Sequence, residues 1–168
     1  FKKTLPHLLP EGSLLDVGCA EGYWLKFLRE QTHLQLSGVD ISGRKVAVAK
    51  NGMGNLDCGL AIADARALPF KDGAFDQVTA MEIVEHIPDH ANAIREIIRV
   101  AAKRAIISVP YREKLKNGVC ENCGTAVPFC GHVHSFSEED FLGIEEMDGV
   151  SLSFHPLMSS FSPSEYVA

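Results

Sequence analysis

Three groups of residues in this sequence have the types and spacing to do chemistry. The first is Leu14-Leu15-Asp16-Val17-Gly18-Cys19-Ala20-Glu21-Gly22, an apolar run that passes into small residues at alternate positions. Gly18 and Gly22 can take backbone angles closed to other residues, and with Ala20 between them no side chain keeps a ligand off the main chain. The spacing is G-x-A-x-G followed by Tyr23, not the G-x-G-x-x-G of a pyrophosphate-binding turn. Asp16 and Glu21 flank it, which disfavours an anionic diphosphate and suits a ligand carrying an ammonium group. The second group is Glu82, Glu85 and His86, at i, i+3 and i+4. A helical turn beginning at Glu82 would face all three one way, at the spacing of metal ligands. The third is Cys120-Glu121-Asn122-Cys123-Gly124, a thiol pair followed by glycine as in a structural zinc knuckle, with Cys130, His132 and His134 close behind as further ligands. Free thiols beside a substrate pocket, or a redox pair, are the other readings of that segment.

The surrounding pattern must hold these groups in place. Residues 14–17 read as a strand and residues 22–31 as a helix that buries Trp24, Phe27 and Leu28. Residues 34–39 form a second strand ending in Asp40, an acid about 20 residues past the glycine turn, where it can accept hydrogen bonds from ribose hydroxyls. A helix over 42–50 is broken by Asn51-Gly52, and a third strand over 60–63 leads to Asp64-Ala65. After a turn over 70–76 come a strand over 77–81, a helix over 89–102 with Ile94, Ile97, Ile98 and Ala101 on one face, and an apolar strand over 105–109. Strands alternating with helices predict an α/β fold: a Rossmann-like, doubly wound, mainly parallel sheet whose ligand lies at the carboxyl ends of the strands. The first nine residues read as a short helix capping that sheet. Residues 111–136 break the rhythm as a Cys/His-rich insertion, a loop long enough to be functional or stapled by zinc. Ser137-Glu138-Glu139-Asp140 starts another helix, and residues 150–154 alternate as a sixth strand.

At this point the residues resemble the first motif of the class I S-adenosylmethionine-dependent methyltransferases, (V/L)LD(V/I)GCG-x-G, with Ala20 in place of the middle glycine. Leu68-Pro69-Phe70-Lys71-Asp72-Gly73-Ala74-Phe75-Asp76 is similar to that family's L-P-F-x-D-x-x-F-D, and the likeness runs from about residue 14 to 109. The resemblance implies S-adenosylmethionine as cofactor. It further implies that Asp16, Gly18, Ala20 and Gly22 cradle the methionyl part, Asp40 beside Ile41 the ribose, and Asp64 with Ala65 the adenine, while Met81 and Glu82 close the site. A small-molecule oxygen, nitrogen or carbon acceptor would enter over His86 and the 111–136 segment, with His86 either the general base or a residue packing against ligand or capping the helix. Methyl transfer from a sulfonium needs alignment more than a nucleophile, so no catalytic dyad is required. The E-x-x-E-H pattern is also similar to that of ubiquinone-biosynthesis O-methyltransferases and small-RNA terminal ribose methyltransferases, in which it joins a later histidine, here His132, around a divalent cation. Many small-molecule members carry the pattern without a metal, Glu82 then touching the donor's amino end. The family's seventh strand has no counterpart, because residues 161–168 are too short and polar; either the chain is truncated or the sheet is incomplete.

With 168 residues, nearly half of them apolar, the chain reads as one domain with an ample core. A net charge of −6 gives no electrostatic reason to expect nucleic acid or an anionic membrane surface. No apolar run approaches the ~20 residues of a membrane span and no signal peptide is visible, so a cytoplasmic enzyme is the expectation, with its five cysteines used for metal or reactivity before disulfides. An RNA ribose O-methyltransferase dependent on a divalent metal is one alternative, and a degenerate donor-binding module with a zinc-bearing interaction loop is another. A nicotinamide-dependent oxidoreductase is opposed by the G-x-A-x-G-Y spacing and its flanking acids.

Overall fold

A computed structural model of the chain describes residues 1–54, 58–142 and 153–155. Its contacts divide into two compact units, Phe1–Val84 with Asp89–Ser108, and Glu85–Pro88 with Val109–Ala168.

The first unit is a five-stranded parallel sheet. Strands β1 (Ser13–Val17), β2 (Gln35–Asp40), β3 (Gly59–Ile62), β4 (Phe75–Met81) and β5 (Ala101–Ser108) stand in the order β3-β2-β1-β4-β5. Helices α1 (Tyr23–Gln31), α2 (Gly43–Met53) and α3 (His90–Val100) lie between β1 and β2, β2 and β3, and β4 and β5. The chain builds outward from β1 through β2 to β3, then returns to β1's other side, and that reversal makes the carboxyl ends of β1 and β4 the switch point, the crevice at which sheets of this kind bind ligands. Central parallel strands are apolar because both faces are covered: Leu14, Leu15 and Val17 of β1 and Val78 and Ala80 of β4 are buried. Helix α1 buries Trp24, Leu25 and Leu28, while Phe27 is only partly buried. Helix α3 buries Ala93, Ile94, Ile97 and Val100, so Ile94 and Ile97 of the expected stripe are joined by Ala93 and Val100 in place of Ile98 and Ala101.

Three boundaries differ from expectation for physical reasons. The first nine residues hold only a 3-10 turn, Leu5–His7, and are tied down by side chains: Gln77 donates to Leu9 O and accepts from Leu9 N–H, and Arg104 donates to His7 O at 2.6 Å. Helix α2 runs through Asn51-Gly52 to Met53, since an interior glycine costs only about 1 kcal/mol and Met53 is buried beyond it. Strand β5 begins at Ala101, four residues early, and takes in Lys103 and Arg104; it ends the strand order, where charged side chains are tolerated, and Lys103 pairs with Asp76 at 2.7 Å.

Between β3 and β4 no helix forms among the described residues; instead α3 clamps the connection. Arg99 donates to Phe70 O and Leu68 O and to the carboxylates of Asp72 and Glu96, Glu96 accepts from Leu68 N–H, and Asn92 donates to Arg66 O. These contacts satisfy the backbone that a helix would otherwise have satisfied.

In the second unit the expected loop carries a hairpin of β6 (Asn117–Val119) and β7 (Ala126–Pro128), followed by α4 (Glu139–Leu142). Tyr111 bridges to Phe136, and Arg112 N–H donates to Phe136 O at 2.7 Å. Before α4, the main-chain N–H and hydroxyl of Ser137 both donate to Asp140 Oδ2. Of the sixth strand expected over 150–154, residues 150–152 lie outside the described residues and 153–155 have no regular structure; residues 161–168 also lie outside them. Among the described residues no helix is long and apolar enough to cross a membrane.

Candidate functional site

In the first unit the turn after β1 has left-handed backbone at alternate residues, with φ of 78° at Gly18, 47° at Ala20 and 79° at Gly22. Gly18 N–H and Cys19 N–H both donate to Val39 O, which docks the turn on the end of β2. Gly18 must be glycine for a second reason: a Cβ there would stand 2.3 Å from a methyl of Ile83. Asp40 braces the same turn, accepting from Ala20 N–H at 3.0 Å through Oδ2 and from Ser42 N–H at 2.8 Å through Oδ1. Each oxygen accepts one such bond and so retains a lone pair for a ligand hydroxyl.

Asp16 is only 2 % exposed and belongs to a buried relay, in which Trp24 Nε1–H donates to Thr79 Oγ1 at 3.2 Å and the Thr79 hydroxyl donates to Asp16 Oδ1 at 2.9 Å. Burial pushes its carboxyl up to about 7, against the opposing hydrogen bond from Thr79 and with help from the nearby charge of Asp40. Cys19 is pushed up to about 12 by burial and then by Asp16 and Asp40, which makes it an inert thiol.

Asp64 follows β3 and is clasped by Arg66, whose main-chain N–H, Nε and Nη2 all donate to its carboxylate, the shortest bond being 2.6 Å. Those hydrogen bonds hold its carboxyl below the usual range. Ala65 beside it is half-buried. Ile41 is 68 % exposed, and Ile62, in register with Asp40 across β2 and β3, is 63 % exposed. Two isoleucines thus stand in solvent beside Asp40, an apolar surface of the kind that ligands cover. Met81 packs against the core. A cleft of about 660 Å³ lined by Arg29, His33, Gln35 and Gly59 lies at the opposite end of β2 from Asp40, and none of the expected donor residues lines it.

The helical face expected for Glu82, Glu85 and His86 does not form. Glu82 has φ 55°, in the left-handed region, so the 3-10 turn starts later, at Val84–His86. Its N–H donates to Ser108 O and Oγ, and its carboxylate accepts from the Ser108 hydroxyl at 2.6 Å.

The second unit instead gathers Glu85, His86 and His132, whose ligand atoms lie within 4.8 Å of one another. Val133 N–H and His134 N–H both donate to Glu85 O, and the rings of His86 and His132 meet edge to face at 4.7 Å. His134 points elsewhere, its Nε2 lying 3.0 Å from Pro88 O. Cys120 and Cys123 occupy the hairpin turn, closed by Cys120 N–H to Thr125 O and Gly124 N–H to Cys120 O. The Cys123 thiol contacts Thr125 Oγ1 at 3.3 Å, and hydrogen bonds from Thr125 and Cys120 hold it below its usual range. Among the described residues no group of three potential ligands includes a cysteine, so the zinc set expected from Cys120, Cys123, Cys130, His132 and His134 is not assembled; His132 stands with His86.

Three contributors escaped sequence reasoning. Thr79 was detectable as a polar residue inside the apolar strand β4, and Ile62 as an apolar residue at a strand end. Glu113, whose Oε2 lies 2.5 Å from His132 Nδ1, gave no local signal because the two residues are 19 positions apart in the chain.

A protein-family profile described as a methyltransferase domain matches residues 15–109, more than half of the chain. Norajmaline N-methyltransferase of Rauvolfia serpentina is 36% identical over 130 residues, covering 66% of this chain and 44% of the relative. The 2-methyl-6-phytyl-1,4-hydroquinone methyltransferase of Synechocystis sp. is 35% identical over 107 residues, covering 63% and 33%. Among solved structures, a chain of the complex between the Haloferax volcanii Trm112 methyltransferase activator and a methyltransferase superposes with a TM-score of 0.60 at 28% identity, covering 66% of this chain and 51% of that one. This chain thus spans less than half the length of those curated relatives. The parallel sheet, the left-handed turn after β1 and the profile match agree: the chain belongs to the methyltransferase-domain family, of the class I S-adenosylmethionine-dependent type.

Proposed function

We propose that this protein binds S-adenosylmethionine in the crevice beside β1 and transfers its methyl group to a small-molecule acceptor. The observation that carries the donor assignment is the bracing of the Gly18–Gly22 turn by Asp40, which leaves lone pairs for the ribose hydroxyls while exposed Ile41 and Ile62 offer an apolar bed for the adenine. When bound, S-adenosylmethionine supplies a methyl group already activated by its sulfonium charge. The chain's task is alignment: the turn keeps side chains away from the methionyl part, buried Asp16 ties the end of β1 to Thr79 behind that turn, Asp40 adds negative charge for an ammonium group, and Asp64 meets the adenine amino group beside Arg66. His86 is exposed and serves as the base that takes a proton from the acceptor. Relatives named as a norajmaline N-methyltransferase and a 2-methyl-6-phytyl-1,4-hydroquinone methyltransferase support a small acceptor. The protein supplied with methyl-labelled donor should label members of a panel of phenols and amines and leave single-stranded RNA unlabelled; label in the RNA alone would overturn the small-molecule assignment.

A second reading is supported by the closeness of Glu85, His86 and His132: a divalent cation held there, with His86 a ligand in place of a base. Two imidazoles and a carboxylate suit Mn, Fe, Co, Ni or Zn better than Mg or Ca, and such an ion lowers the pKa of a bound hydroxyl. Activity lost on chelation and restored by one of these metals is the expected result; full activity after exhaustive chelation would leave His86 as the base.

A further inference from the structure

The group that decides how His132 meets its neighbours is not one of the three clustered residues but Glu113. The bridge from Tyr111 to Phe136 and the bond from Arg112 N–H to Phe136 O bring residues 111–113 alongside the segment that carries His132. Phe136, 2 % exposed and packed on Phe141, anchors that bridge. On the other side, Cys130 and Gly131 take left-handed angles in succession, φ 56° and 76°. A Cβ on Gly131 would come within 3.3 Å of His86 Nδ1. His132 is therefore delivered between two fixed partners, Glu113 on its Nδ1 side and His86 against its ring.

A carboxylate only accepts hydrogen bonds, so at 2.5 Å from Glu113 Oε2 the Nδ1 of His132 must carry the proton. A neutral imidazole has one N–H, which leaves Nε2 as the lone-pair nitrogen. We infer that Glu113 is the positioning residue of the cluster: it fixes the Nδ1–H tautomer of His132 so that Nε2 is presented, with Glu85 and His86, to a divalent cation of the borderline transition-metal class. A carboxylate behind a ligating histidine is a recurrent means of setting both tautomer and ring orientation. This assignment rests on the cation reading given above. It extends that reading with a residue outside the three ligands, and it gives Nε2 of His132 a single role.

The experiment is a cobalt(II) titration of the full chain, followed by visible absorption, on wild type, Glu113→Ala, Glu113→Gln and His132→Ala. Nitrogen-detected NMR of the histidine tautomers is recorded on the same metal-free samples and reports that each variant is folded. Wild type should bind one cobalt with His132 mainly in the Nδ1–H form. Glu113→Ala should release the tautomer toward Nε2–H and weaken cobalt binding about 10- to 100-fold. Glu113→Gln, whose amide oxygen can still accept from Nδ1–H, should fall between, and His132→Ala should lose the site. Cobalt bound by wild type and Glu113→Ala with equal affinity, or a tautomer unchanged in Glu113→Ala, would overturn the role of Glu113 while leaving the cation reading standing. No cobalt bound by folded wild type would overturn both.

Discussion

The two units of this protein are held together by different physics. The sheet unit rests on a parallel ladder and an aliphatic interior in which Leu14, Leu15, Leu25, Leu28 and Ile97 lose essentially all solvent contact. The other unit has a hairpin of two three-residue strands, exposed Val119 and Val127, and, among the described residues, a single well-buried aromatic, Phe136; its order comes from polar contacts, such as His132 to Glu113, Ser137 to Asp140, and the paired amides on Glu85 O. One unit is specified by burial, which many residues share, and the other by particular pairs, which few substitutes can replace.

Truncations should separate the two most widely. Ile97→Ala removes a fully buried side chain and should cost about 2 to 5 kcal/mol in urea denaturation, whereas Val127→Ala on the hairpin should change stability by no more than about 0.5 kcal/mol. Equal losses at the two sites would erase the distinction.

The polar relay inside the apolar unit is the exception that sharpens the comparison. Because burial raises the Asp16 carboxyl to about 7 from 3.8, the folded chain binds more protons than the unfolded chain between those values. Stability therefore falls as pH rises through that window, by up to about 4 kcal/mol for a shift of roughly three units. Asp16→Asn, which keeps an acceptor for Thr79, should flatten the fall; stability profiles of the two proteins that run parallel from pH 4 to 8 would remove Asp16 as its source.

Asp40→Ala should lower donor affinity by about 1 to 3 kcal/mol, since it removes both the brace on Ala20 and the acceptors proposed for the ribose. Unchanged affinity would separate the turn's geometry from its function. A smaller effect than that of Asp40→Ala is expected at Ala20→Gly. Relief of a left-handed alanine at φ 47° is partly offset by the greater freedom of glycine in the unfolded chain, giving a gain of up to about 1 kcal/mol by thermal denaturation. A loss of stability there would mean that the methyl of Ala20 contributes packing.

This contrast also governs what could be read from the residues alone. Periodic burial is local, so β1, α1, β2 and the placement of Asp40 at a strand end were legible within a residue or two. Lys103 and Arg104 hid the start of β5, because tolerance for charge on the last strand of the order depends on neighbours that spacing does not reveal. The positive φ at Glu82 overrode the i, i+3, i+4 pattern, and the clasp of Arg66 on Asp64 needed the turn after β3 to be known. The resemblance already set His132 beside His86 as a ligand candidate, but its partner Glu113 depends on the Tyr111–Phe136 bridge and two successive left-handed residues. Long-range polar pairs leave no period in the sequence.

The central claim is that the β1 turn, with Asp40 behind it, grips a sulfonium-bearing nucleoside. Isothermal titration of S-adenosylhomocysteine into the protein tests it most directly, with NADH as the control. The account predicts saturable one-to-one binding of S-adenosylhomocysteine and none of NADH; a folded protein that takes up NADH, or neither ligand, would contradict it.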